Sequence, residues 1–234
     1  MTRTTDQEGK TSIAINLNPE KYQIKITYNG NTQYSKTETT KTITVLSTIT
    51  GNNITKIYKN NTQYTAKFTN GQGKPLKNTM VEFNIYGIFY KRTTDENGTA
   101  KININLNPDT YIITAKNPIN NQTYSNTIKV LSSITGKNIT KYYKNNTQYY
   151  ATFLNKDGKP LKNTTVEFNI YGVFYKRITD ENGTAKLNIN LRPGEYIITA
   201  INPVNNQMHS NKIKVLPKLI GNYQIGRASC RERV

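Results

Sequence analysis

Apolar and polar residues alternate with a period of two along most of the chain. Val81, Phe83 and Ile85 interleave with Glu82, Asn84 and Tyr86, which places three apolar side chains on one face of a strand. Ala100, Ile102, Ile104 and Leu106 interleave with Lys101, Asn103 and Asn105 in the same way, so this segment has one buried and one wet face. Tyr64 to Thr69 also alternates and runs into the turn formers Asn70-Gly71-Gln72-Gly73-Lys74-Pro75. Tyr111 to Lys116 and Thr123 to Leu131 read as two further strands about a turn at Asn117-Pro118. No helical period intervenes. About seven short strands, with turns roughly every 8 to 12 residues, predict an all-β antiparallel β-sandwich of the immunoglobulin-like kind.

Two local patterns sharpen this. Asp95-Glu96-Asn97-Gly98 lies between alternating segments, and its equivalent ends in Asn182-Gly183; Asn-Gly favours the positive φ angles of a tight hairpin, so both are expected to be hairpin turns. Leu106-Asn107-Pro108-Asp109-Thr110-Tyr111 recurs as Leu191 to Tyr196 and Leu17 to Tyr22. The spacing is that of a tyrosine corner, in which a phenol hydroxyl bonds backbone at a sheet-to-sheet crossing. Tyr22, Tyr111 and Tyr196 are the corner residues, and Tyr111 and Tyr196 are expected to be mostly buried.

The chain copies itself. VLSTITGNNIT from Val45 returns as VLSSITGKNIT at Val130, and Gly51, Gly136 and Gly221 set a constant period of 85 residues (136 − 51 and 221 − 136). GKPLKNTMVEFNIYGIFYKRTTDENGTAK from Gly73 matches the stretch from Gly158 except at Met80/Thr165, Ile88/Val173 and Thr93/Ile178. The expected domains are therefore a partial repeat at 1–46, complete repeats at 47–131 and 132–216, and the start of another at 217–224. Both ends cut through a repeat, so the reading frame is expected to be incomplete, with signal and anchor outside it. Residues 225–234 (IGRASCRERV) break the composition and resemble a translated sequencing adapter, so they are set aside as non-native.

GKPLKNT, VEF, TDENGTAK and the INLNPDTYIITA stretch together resemble the bacterial-type immunoglobulin-like repeats of archaeal adhesin-like proteins, over residues 1–224. That resemblance implies a secreted protein on the surface of methanogenic archaea, in which such modules form stalks and contribute to attachment.

Thirty-two Lys and Arg against 14 Asp and Glu leave a net charge of +18, which favours anionic partners in general. The lysines are scattered, however, and no nucleic-acid motif accompanies them. Cys230 is the single cysteine and lies in the set-aside tail, so no disulfide framework or cysteine-built zinc site is expected. His209 is the single histidine; Tyr124 holds its place in the other repeat. It reads as an exposed strand residue and not as a catalytic base. Asp95-Glu96-Asn97 and Asp180-Glu181-Asn182 lack the ligand spacing of a calcium loop. Catalytic residues, metal and cofactor are all expected to be none.

Tyr86, Tyr90, Tyr171 and Tyr175 are candidate glycan contacts, Tyr86 sharing the parity of the outward Glu82 and Asn84. Asn53, Asn60, Asn97, Asn121, Asn138, Asn145, Asn163 and Asn182 begin N-glycosylation acceptor triplets. The chain is expected to be an extracellular, non-enzymatic stalk of an adhesin-like protein on the cell surface. Its expected partners are neighbouring repeats and surface glycans or proteins, without nucleic acid or membrane insertion. A carbohydrate-binding array and a spacer of a large extracellular enzyme stand as alternatives.

Overall fold

A computed structural model describes residues 1–218 of the chain. All regular structure among them is β, as the period-two pattern requires. Contacts group the chain into two compact units. One joins Met1–Asn52, Thr65–Lys101 and Ile113–Asn126; the other joins Asn53–Tyr64, Ile102–Ile112 and the described residues from Thr127 onward.

Near the N-terminus β1 (Lys21–Tyr28) and β2 (Thr37–Thr44) form an antiparallel pair in which Lys21 faces Thr44 and Tyr28 faces Thr37. Over 47–131 a three-stranded sheet runs in the order β3 (Ile49–Gly51), β5 (Gln63–Phe68), β8 (Thr99–Asn103). A five-stranded sheet runs β4 (Ile54–Ile57), β10 (Thr123–Leu131), β9 (Asp109–Lys116), β6 (Met80–Ile85), β7 (Ile88–Thr93). Over 132–216 the same two sheets return. The smaller is β11 (Ile134–Gly136), β13 (Gln148–Phe153), β16 (Thr184–Asn188), and the larger is β12 (Ile139–Tyr142), β18 (Gln207–Leu216), β17 (Gly194–Asn202), β14 (Thr165–Ile170), β15 (Val173–Ile178). The fold is thus a tandem immunoglobulin-like sandwich.

Two features differ from the sequence expectation. Each complete copy opens with two short strands that the sequence reading did not name: the chain leaves the smaller sheet after Gly51 and joins the larger one at Ile54. There β4 runs parallel to β10, Ile54 facing Ile128, as β12 does to β18. The sandwich is therefore antiparallel except at that edge.

The second difference concerns Asn97-Gly98 and Asn182-Gly183, which do not close hairpins. The strands that flank them belong to different sheets, β7 to the larger and β8 to the smaller. Asp95 Oδ1 accepts the N–H groups of Asn97 and Thr99, each at 2.9 Å, and only the glycine adopts positive φ, at 73°. Gly98 O then accepts the Phe68 N–H at 2.8 Å, and a Cβ on Gly98 would lie 2.5 Å from Phe68 O. The turn hands the chain from one layer to the other, and the glycine serves a close backbone approach. Buried Thr94 fixes the crossing by donating to Leu76 O and accepting the Thr79 N–H. The two-residue hairpins are instead Tyr86-Gly87 (φ 50° and 81°) and Tyr171-Gly172 (φ 48° and 83°), the mirror-type turn that matches strand twist.

The core of 132–216 is one cluster running from Ile134 to Val215 and centred on Tyr149, Phe153 and Phe168, all fully buried. Phe168 meets Tyr149 and Phe153 edge-on, with ring centroids 5.6 and 6.0 Å apart. The positions 85 residues earlier, Tyr64, Phe68 and Phe83, are fully buried as well.

Candidate functional site

Three tyrosines bond backbone four residues upstream. Tyr22, Tyr111 and Tyr196 donate their hydroxyls to Asn18 O, Asn107 O and Arg192 O at 2.9, 2.9 and 3.0 Å. Tyr111 is buried. Tyr22 and Tyr196 are only half-buried, and the expected burial of Tyr196 is not reached. Its ring instead tilts against Tyr171, centroids 5.6 Å apart, and Tyr171 Oη donates to Glu195 O.

The four candidate glycan-contact tyrosines differ in exposure. Tyr86 and Tyr171, at the tips of the hairpins, are 70% and 71% exposed. Tyr90 faces Phe83 across the ladder and is half-buried, and Tyr175 packs on the core cluster. The two-residue turn sets this parity, because it puts Phe89 opposite outward-facing Asn84. Phe89 and Phe174 are consequently exposed, and the sequence reading missed both.

The acidic turns spend their oxygens internally. The backbone N–H of Thr99 holds the Asp95 carboxyl below its usual range. Glu96 is lowered first by the Asn78 side-chain amide and then by Lys77, and Glu181 by Asn163 and Lys162 in the same order. Among the described residues no group of three His, Cys, Asp or Glu side chains converges on a metal position.

His209 is half-buried on β18 opposite Ala200, not exposed, and its buried Nε2 has no hydrogen-bond partner among the described residues. A depression of about 380 Å³ beside β12, β17 and β18 is lined by Asn138, Tyr196 and the Glu195–Lys214 ion pair, at 3.1 Å, with no histidine or second carboxylate. A nucleophile, base and orienting group do not meet there. Of the eight acceptor asparagines, Asn53, Asn97, Asn121, Asn138, Asn145, Asn163 and Asn182 are exposed and Asn60 is half-buried. Asn163 Nδ2 is engaged by Glu181 at 2.8 Å.

Two buried lysines were not singled out from sequence. Lys56 Nζ donates to Asn60 O, Thr62 O and Ile104 O at 2.9, 3.1 and 2.6 Å. Lys141 Nζ donates to Asn145 O, Thr147 O and Ile189 O at 2.8, 3.1 and 2.7 Å. Burial pushes both ammonium groups below the ordinary lysine value. Each lysine ties the edge strand to the loop after it and to the chain leaving the smaller sheet. Three donors meeting three acceptors leaves no charge-bearing hydrogen unpaired.

Tyr149 supplies a pH-dependent element. Its ring is fully buried, its hydroxyl donates to Asn211 Oδ1 at 2.7 Å, and desolvation raises its pKa to about 12. A folded-state value above the unfolded value of about 10 contributes stability that is complete below pH 10 and lost as pH rises toward 12. A phenolate absorbance titration is expected to show a late step near 12 that Tyr149→Phe removes. A Tyr149→Phe curve superimposable on the parent would refute this.

No protein-family model and no curated protein sequence matches the chain. Among solved structures, the fibronectin(III)-like modules of Clostridium thermocellum CbhA are 16% identical, covering 75% of this chain and 98% of theirs at a TM-score of 0.28. Titin domains z1z2 in complex with telethonin are 14% identical, covering 73% and 98% at 0.26. A Ca²⁺-stabilized adhesin of an Antarctic bacterium that binds ice is 14% identical, covering 85% of this chain and 57% of its own length at 0.27. At these values the likenesses add nothing to the fold derived from the sheets.

Proposed function

We propose that the chain is a non-enzymatic spacer region of an extracellular, adhesin-like surface protein, its repeats holding a binding region at a distance. One observation carries this reading: the same sandwich, with the same aromatic centre and the same lysine clasp, is built twice at a period of 85 residues with only a short connector at Ser132-Ser133. Lateral ladders and end-placed loops suit such modules to stacking in series. The sequence resemblance to archaeal adhesin-like repeats supplies the surface setting. No helix among the described residues is long and apolar enough to cross a membrane.

A glycan array probed with the full chain tests this against the carbohydrate-binding alternative. The spacer reading expects no saturable, sugar-competed binding. Binding that is competed by free sugar and lost on Tyr86→Ala with Tyr171→Ala would replace it with a lectin-like function, since those two rings are the exposed members of the tyrosine set.

A further inference from the structure

Equivalent positions at one end of the two copies differ in exposure although their residues are similar and their internal bonds agree. Gln122 Oε1 accepts hydrogen bonds from the N–H and the side-chain hydroxyl of Thr48 at 2.7 and 2.5 Å, and Gln207 Oε1 accepts from the N–H and the hydroxyl of Ser133 at 2.6 and 2.7 Å. Asn120 and Asn205 each donate to the same hydroxyl, at 3.0 and 2.9 Å. Yet Ile119 is 63% exposed whereas Val204 is half-buried; Asn120 is exposed whereas Asn205 is buried. Gly73 is exposed and Gly158 half-buried.

The cover over the second copy comes from the end of β4 and the residue that follows it. Asn205 Nδ2 spends its second hydrogen on Tyr58 O at 3.2 Å, and a Cβ on Gly158 would meet Ile57 Cγ1 at 3.3 Å. Ile57 is 7% exposed, whereas Tyr142, its counterpart 85 residues on, is 56% exposed. The segment Asn53–Tyr64 accordingly groups with the described residues from Thr127 onward. We propose that Ile57-Tyr58 and the Gly158–Val204–Asn205 end are the two halves of a docking surface through which one copy of the repeat seats on the next. Tyr142-Tyr143 then presents the first half to a further copy of the same repeat.

The chemistry supports a built joint. A side-chain amide with both hydrogens used is buried without an unpaired donor. An apolar side chain is admitted at a position with no side chain of its own. Gly73 serves as an internal control, because it has the same φ (76° against 77°) with nothing within 4 Å of a built Cβ.

The proposal rests on the spacer reading, and its test reads a different quantity from glycan binding. In the full chain with Cys230→Ser, spin labels at Lys129→Cys on β10 and Lys176→Cys on β15, both exposed and within the same compact unit, report the distance across the joint by dipolar spectroscopy. A single narrow distance peak is expected, kept by Gly73→Asn and Asn120→Ala and lost on Gly158→Asn or Asn205→Ala. Asn tolerates positive φ, so the glycine pair isolates the contact from backbone strain, and an unchanged circular dichroism spectrum excludes misfolding. A broad peak in the parent, or equal responses from the two members of each pair, overturns the joint while leaving the spacer reading intact. Sugar-competed binding with a narrow peak does the reverse.

Discussion

Replacing Lys141 with Met is expected to destabilise the 132–216 repeat by about 3 kcal/mol, as a buried carbonyl left without its partner costs roughly 1–3 kcal/mol and three are affected. The thioether nearly fills the volume of the lysine stem, so the loss reports hydrogen bonding more than a cavity. Lys141 Nζ lies 2.7 Å from Ile189 O, and the side chain is buried. Urea denaturation of Lys141→Met and its twin Lys56→Met should show similar falls, because both lysines make the same three bonds. Lys162→Met is the surface comparison: its pair with Glu181, at 3.1 Å, is over half exposed on both sides, so solvent screening leaves a change much smaller than that at Lys141. Equal effects at positions 141 and 162 would remove the clasp from the account of stability.

Phe168→Ala should cost about 3–5 kcal/mol. The ring is fully buried and bridges Tyr149 of one sheet and Phe153 beside it, so its loss opens a void between the layers. A domain of this size holds roughly 5–15 kcal/mol in all, and each kcal/mol moves its melting point by about 4–8 °C. Calorimetry of the full chain is therefore expected to show a shift of about 12 °C or more. The equivalent Phe83→Ala should act alike, since Phe83 is also fully buried and meets Phe68 at 6.0 Å. A shift below about 4 °C for both would mean that the sandwich closes without its aromatic centre.

The scattered lysines have divergent roles that explain why charge alone led nowhere. Lys77 and Lys162 stand beside Glu96 and Glu181 at the surface, while Lys56 and Lys141 are capped inside by carbonyls. All four lie at polar positions of a lysine-rich chain. Only the three-dimensional convergence of main-chain oxygens tells the second pair apart.

Period-two alternation by itself determined the strand class and the inward set Val81, Phe83 and Ile85, because side-chain direction in a strand follows local backbone geometry, and the recurring strings determined the 85-residue period. The Leu-x-Pro-x-x-Tyr spacing likewise marked hydroxyls that do reach backbone four residues upstream, as a short chain path allows. Tertiary structure decided which strands became neighbours. Asn97-Gly98 has the residues of a hairpin, but the Phe68 N–H donates to Gly98 O, Leu76 O accepts the Thr94 hydroxyl, and β7 and β8 part into different sheets. It also decided that Tyr90 and Tyr175 turn inward, that β4 pairs in parallel with β10, and that Lys56 and Lys141 are buried. Each of these depends on partners distant along the chain, whose hydrogen-bonding demands no local window of residues contains.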